Sequence, residues 1–222
     1  IHHIHQEVFR NHLSWPLATI ARFMEAKLMP SVYKNQKVVT VSESSKAEIL
    51  KLGEKVFSSI DIVSPGIHIE KFLAPSKTKH PSFLYLGRLQ PYKNIEVAIE
   101  AFSLVLKRYP SSTLTIAGFG ESIISLKELV SNLKIEKYVD FAGKVSETEK
   151  HLLFAKSWVM LQPSMIEGWG ITVIEANASG TPVVASDVNG LRDSVVHAKT
   201  GLLVKPKDIK KSVFFVFCNR KF

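Results

Sequence analysis

Two glutamates, Glu167 and Glu175, stand on either side of seven residues in the stretch EGWGITVIEANAS. Carboxylates placed this way can accept hydrogen bonds from ligand hydroxyls, and the glycines between them, Gly168 and Gly170, let a backbone come close to a ligand. Earlier in the chain, GRLQPYKN supplies Arg88 and Lys93. A planar guanidinium that can bind two oxygens, together with an ammonium point charge, suits a diphosphate. A helix running from about Ile171 to Ala178 would aim free N–H groups and its positive dipole end at the same anion. Glu175, about one turn into that helix, could accept from two adjacent hydroxyls of a ribose. Glu167 would face a neutral, hydroxyl-rich group beyond the phosphates. The set reads as a site for a nucleotide-diphosphate sugar.

Each piece also has a plain structural reading. Arg88 follows a strand, where many arginines simply lie on the surface. Gly118-Phe119-Gly120 in AGFGE is a common tight turn and lacks the third glycine of a dinucleotide-binding fingerprint. Two glutamates near a turn are commonly solvated. Their order at successive strand ends is what joins them into one site.

From about residue 82 a strand-helix rhythm positions these residues. SFLYLG (82–87) reads as a buried strand, followed by a helix with Ile95, Ile99, Phe102 and Leu106 on one face, stopped by Pro110. STLTIAG (112–118) is a second strand. Leu126, Leu129, Val130 and Leu133 mark the next helix. YVDFAG (138–143) is a third strand, and Ser146 with Glu149 forms a capping box that opens TEKHLLFAK. WVMLQPS is a fourth strand, ending where the glutamate loop begins, and TPVVAS (181–186) and TGLLV (200–204) are the fifth and sixth. Strands alternating with helices imply an α/β fold, a parallel sheet covered on both faces, with ligands held at the carboxyl ends of the strands.

The first 64 residues read as the remnant of another α/β domain. A helix begins near Pro16 with Ile20, Phe23, Met24 and Leu28 along one face. KVVTVS (37–42) is a strand, Ser45 and Glu48 are expected to cap the helix after it, and IDIVSPGI is one more strand. Residues 65–81 are expected to be a linker and 82–222 a ligand-binding domain. The chain opens on Ile1 rather than methionine, so it is expected to be part of a longer one.

Composition excludes several classes. No apolar run approaches the roughly 20 residues of a membrane-spanning helix. The single cysteine, Cys218, rules out an intramolecular disulfide framework and fits a reducing compartment. The net charge is +9, but residues 61–200 carry fifteen Lys or Arg against fourteen Asp or Glu, whereas 201–222 carry six against one. With the excess gathered in the last residues and no basic stripe interleaved with aromatics, nucleic-acid binding is not expected.

From Val38 to Val204 the chain resembles the retaining GT-B glycosyltransferases of the glycosyl transferases group 1 family, also called family four. The stretches that carry the resemblance are VVTVSESSKAEI, IVSPGI, FLYLGRLQPYKNIEVAIEAF, TLTIAGFGE, VDFAGKV, LQPSMIEGWGITVIEANASGTPVVAS and TGLLV. It implies a Rossmann-like, GT-B type fold and transfer of a sugar from a nucleotide-diphosphate sugar to an acceptor hydroxyl with retention of configuration. By resemblance, Arg88 and Lys93 hold the donor diphosphate, Gly87 is among the donor-binding residues and Glu167 lies near the transferred sugar. Gly168, Trp169, Gly170, Ile171 and Thr172 contact sugar and phosphate, Glu175 binds the ribose, and Val145 meets the base.

The resemblance extends less firmly to HHIHQEVF (1–8), where a histidine would approach the donor sugar. His2, His3 and His5 are candidates, and His3 is chosen, so the expected catalytic set is Glu167, Arg88, Lys93 and His3. No metal is expected, since the family needs none, no Asp-x-Asp motif occurs, and the histidines lack acidic or cysteine partners at suitable spacing. No cofactor is implied beyond the nucleotide sugar. The acceptor is a glycan, a lipid-linked or a small molecule, and the location is cytoplasmic, with peripheral association at the inner face of the cell membrane left open. The sequence does not specify oligomeric state, donor base or sugar. Relatives carry further sequence at both ends, so the chain is expected to bind donor better than it transfers. A non-catalytic nucleotide-sugar-binding fragment, and an epimerase or phosphorylase on the same fold, remain as alternatives.

Overall fold

The computed structural model describes residue 9 and residues 13–53, 57–72, 74 and 76–208. The chain divides into two compact units, Ile1–Pro65 and Gly66–Phe222. In the first, α1 (Trp15–Phe23) starts with proline in its first turn, where the missing N–H costs nothing, and runs through a π-helical Met24–Leu28 into α2 (Met29–Val32). Strands β1 (Lys37–Thr40) and β2 (Ser59–Ile62) pair in parallel, with α3 (Glu43–Leu50) between them in sequence. Its small core is Val38, Ile49 and Phe57, with Met29 and Ile60 packed against them.

One expectation for this unit is corrected. The cap of α3 is Ser42, three residues earlier than expected. Ser42 keeps an extended backbone and its side chain accepts from the Ser45 amide at 3.1 Å, so Ser45 is already inside the helix. The apolar stripe Ile20, Phe23, Met24 and Leu28 is exposed, by 57%, 64%, 50% and 47%. Helical spacing showed the stripe but not whether anything covers it.

The second unit is built on six parallel strands: β3 (Ser82–Leu86), β4 (Thr113–Ala117), β5 (Val139–Gly143), β6 (Val159–Gln162), β7 (Val183–Ser186) and β8 (Gly201–Val204). Their spatial order is β5-β4-β3-β6-β7-β8. Between them lie α4 (Ile95–Arg108), α5 (Ile123–Asn132), α6 (Glu147–Lys156), α7 (Ile171–Ala178) and α8 (Leu191–Ser194). Side chains alternate across each strand. Phe83 and Tyr85 join Ile95, Ile99, Phe102 and Leu126 in one core, and Leu84 and Met160 join Phe154, Val173 and Leu191 in the other. Helices therefore cover both faces, as a parallel sheet requires. The Ser146–Glu149 capping box opens α6 as expected.

The stretch expected to link the domains is bonded to the second unit. Ser76 and Thr78 amides donate to Ala155 and Lys156 carbonyls, and Trp158 Nε1 donates to the Thr78 carbonyl at 2.8 Å. Lys77 Nζ reaches the Ser157 carbonyl at 2.7 Å and Thr181 Oγ1 at 2.5 Å.

Candidate functional site

The strand order reverses at β3, which has β4 on one side and β6 on the other. Loops leaving the carboxyl ends of two strands at such a switch point diverge, and the crevice between them is where open α/β sheets bind ligands. Gly87 to Lys93 follow β3, and Pro163 to Gly170 follow β6. The two loops are tied together by the Met165 amide, which donates to the Tyr92 carbonyl at 2.9 Å.

The β3 loop is held from below and beside. Tyr85, fully buried in β3, donates its hydroxyl to the Arg88 carbonyl at 2.9 Å. Burial, and then the Glu167 carboxylate, push this phenol far above its ordinary range, so it stays a neutral donor. The glycines of AGFGE support the same loop: a Cβ at position 118 would fall 1.8 Å from the Gly87 oxygen. The Leu89 amide also donates to the Phe119 carbonyl at 2.9 Å. Gly118 is thus explained by close packing of two loops.

Arg88 is exposed. Its guanidinium donates to the Tyr92 hydroxyl at 2.6 Å and lies 5.9 Å from the Tyr92 ring centroid, and it meets no carboxylate among the described residues. Its charge is therefore available to an anion. Lys93, on the short 3-10 turn Pro91–Lys93, is buried and forms an ion pair with Glu167 Oε1. The same oxygen accepts from Gln162 Nε2 at 2.8 Å and Ser164 Oγ at 3.0 Å. Gln162 Nε2 also donates to Ser164 Oγ at 3.2 Å, while Gln162 Oε1 is buried and meets no donor. An unmet buried acceptor costs about 1–3 kcal/mol.

Past Glu167, Gly168 and Trp169 are half-buried, and the Trp169 indole N–H is buried without an acceptor. Gly170 is the N-cap of α7, with φ 78° and ψ 54°, a left-handed conformation that favours glycine; a Cβ there would also fall 2.8 Å from Leu191 Cδ2. Glycine brings no side-chain oxygen to cap the helix, so the amides at Ile171 and Thr172 begin α7 without one. That leaves a helix start suited to an anion.

Glu175 is buried on α7 and pairs with Lys150 of α6 at 2.7 Å; Lys150 also reaches Glu147 at 2.8 Å. Burial pulls Lys150 down, but its hydrogen bonds to Glu147 and Glu175 outweigh that and hold its pKa above the ordinary value. Val145 lies between β5 and α6, half-buried, one residue before the N-cap Ser146.

The structure thus brings Lys93 and Glu167 into contact and sets Arg88, Gly168, Trp169, Gly170, Ile171 and Thr172 on the two loops and the helix start around them. Glu175 belongs to a separate ion-pair cluster with Lys150. His3 lies outside the described residues. Sequence reasoning passed over Gln162, Ser164, Tyr92 and Lys150. The available signal was a polar residue, Gln162, closing an otherwise apolar parallel strand.

A model of the family described as Glycosyl transferases group 1 matches residues 68–213. The chain belongs to this family. Among curated proteins, glycogen synthase of Mycobacterium tuberculosis is 28% identical over 211 residues, which is 93% of this chain and 50% of that protein. The O-antigen chain mannosyltransferase RfbU of Salmonella typhimurium is 31% identical over 183 residues, 82% of this chain and 50% of that one. Among solved structures, Anabaena HepE in complex with UDP and glucose matches with a TM-score of 0.77 at 18% identity, covering 99% of this chain and 62% of that one. That likeness is one of fold, which is of the GT-B type. The chain spans about half the length of these curated relatives. Among the described residues no helix is long and apolar enough to cross a membrane.

Proposed function

We propose that this protein transfers a sugar from a nucleotide-diphosphate sugar to an acceptor hydroxyl with retention of configuration, as a family-four hexosyltransferase. The observation that carries the reading is the Lys93–Glu167 ion pair at the switch point: it sets a cation for phosphate beside a carboxylate for sugar hydroxyls. Family membership, and relatives named as a glycogen synthase and a mannosyltransferase, support it.

In this reading Arg88, Lys93 and the start of α7 stabilise charge growing on the departing diphosphate, the electrostatic contribution that is commonly the largest in catalysis. The bond from the anomeric carbon to the phosphate oxygen breaks, and the acceptor oxygen bonds to the same face. The acceptor proton leaves with the departing phosphate oxygen. Glu167 positions the sugar through hydrogen bonds and forms no covalent bond to it. Glu175 receives the ribose hydroxyls and Val145 lies by the base. Because the charge of the diphosphate is met by side chains and a helix start, the reading requires no metal. The acceptor is a glycan, lipid-linked or small molecule, and the reaction is placed on the cytoplasmic side.

The test is to incubate the protein with UDP- and GDP-sugars and a panel of acceptors, and to read product anomeric configuration by NMR. Retention with nucleoside diphosphate release is expected, at a turnover that is low beside the affinity for donor. Inversion would overturn the stereochemical assignment. Binding of a donor without turnover on any acceptor would favour a nucleotide-sugar-binding role instead.

A further inference from the structure

Glu167 is held by one oxygen only. Lys93 Nζ, Gln162 Nε2 and Ser164 Oγ all converge on Oε1, whereas nothing among the described residues bonds Oε2. Three donors saturate an oxygen and fix the plane of its carboxylate, so the second oxygen is presented in one direction. The donors come from rigid places. Gln162 is the last residue of β6 and 3% exposed, Ser164 is fully buried, and Lys93 is buried on the turn after β3. The Ser164 hydroxyl accepts from Gln162 while donating to Glu167, so its rotor is fixed as well.

Gln162 adds an independent observation. Its Oε1 is buried without a donor, so the residue carries an unmet acceptor in a strand whose other residues are the apolar Val159, Met160 and Leu161. A leucine there would complete the apolar run. A buried polar group left unmet calls for an explanation, and functional sites are one place where such costs are kept.

We infer that Gln162 and Ser164 are positioning residues: with Lys93 they hold Glu167 by Oε1 and turn Oε2 toward the donor sugar. A hydroxyl of that sugar donates to Oε2. This rests on the reading of Glu167 as the sugar-facing carboxylate. Gln162 and Ser164 therefore set preference for the sugar-bearing donor over the bare nucleoside diphosphate, without themselves touching phosphate or base.

The experiment is calorimetric titration of the whole chain with UDP, UDP-glucose, GDP and GDP-mannose, with thermal melting of each variant. The variants are Gln162→Leu, Ser164→Ala, Ser164→Thr and, as reference, Glu167→Ala. Gln162→Leu is expected to weaken the nucleotide sugar about tenfold while changing the nucleoside diphosphate by less than about twofold, the scale of one hydrogen bond to a charged group. Its Tm should move little, because the unmet carbonyl is removed along with the donor. Ser164→Ala should show the same selectivity, and Ser164→Thr, which keeps the hydroxyl, should restore sugar affinity. If Glu167→Ala loses the sugar donor selectively but Gln162→Leu and Ser164→Ala do not, the positioning role fails and the reading of Glu167 stands. If Glu167→Ala shows no selectivity, that reading fails and this one with it. Equal losses for both ligands with a lowered Tm would make Gln162 a purely structural residue. No binding of any of the four ligands by the unaltered chain would overturn both.

Discussion

Lys93 and Glu167, 74 positions apart in sequence, form an ion pair between the loop after β3 and the loop after β6. The two side chains are only 10% and 15% exposed. The cation proposed for the diphosphate is thus partly neutralised by the carboxylate proposed for the sugar, and a bound donor must share it.

That sharing shapes the first prediction. Glu167→Gln should leave nucleoside diphosphate affinity unchanged or raise it, because Lys93 loses its fixed counter-charge. The same variant should weaken the sugar-bearing donor. Glu175→Ala should weaken both, since its proposed ligand is the ribose they share. Titration of each variant with both ligands checks this, and equal losses everywhere would dissolve the division of labour.

Arg88 meets no carboxylate among the described residues and rests on the Tyr92 ring and hydroxyl. Arg88→Ala should weaken nucleoside diphosphate binding by roughly 1.5–3 kcal/mol, the loss of a hydrogen bond to a charged group. Arg88→Lys should recover only part of it, because an ammonium cannot make the forked contact. An unchanged affinity in Arg88→Ala would remove this residue from the site.

Lys150 joins Glu175 to Glu147. Lys150→Met leaves the buried Glu175 without its cation and should cost about 2–3 kcal/mol, less than the ~3–5 of a fully buried pair because the site opens to solvent. Adding Glu175→Gln should return much of that loss, which urea unfolding of the single and double variants would measure. The Lys150 pKa is raised in the fold. Its contribution is therefore complete below the unfolded lysine value and lost as pH rises through the folded one.

Lys77 behaves in the opposite sense. The residue is exposed, but its ammonium donates to the Ser157 carbonyl and the Thr181 hydroxyl in part-buried contacts, and burial lowers its pKa from 10.5 to about 8. Between those values the unfolded chain binds the proton and the folded one does not, so stability from this group rises with pH across the window. Comparing urea midpoints of the protein and Lys77→Met on either side of it should show the difference shift in favour of the lysine form at high pH. A pH-independent difference would show that the amine is solvated.

The strands and helices of the second unit were legible in the sequence because their burial is periodic. Ile95, Ile99, Phe102 and Leu106 repeat at helical spacing, and apolar runs such as VMLQ and VVAS mark strands buried on both faces. The glutamates, Arg88, Lys93 and the glycine loop were legible because residue type limits what each can bind. The strand order was not, since pairing depends on long-range contacts that no local pattern encodes. That order alone puts β3 beside β6 and so Lys93 against Glu167. It also decided that three donors share Oε1, that Lys150 answers Glu175, and that the glycines of AGFGE serve loop packing. Each of these joins side chains from different elements, and a distance between elements exists only once the chain has folded.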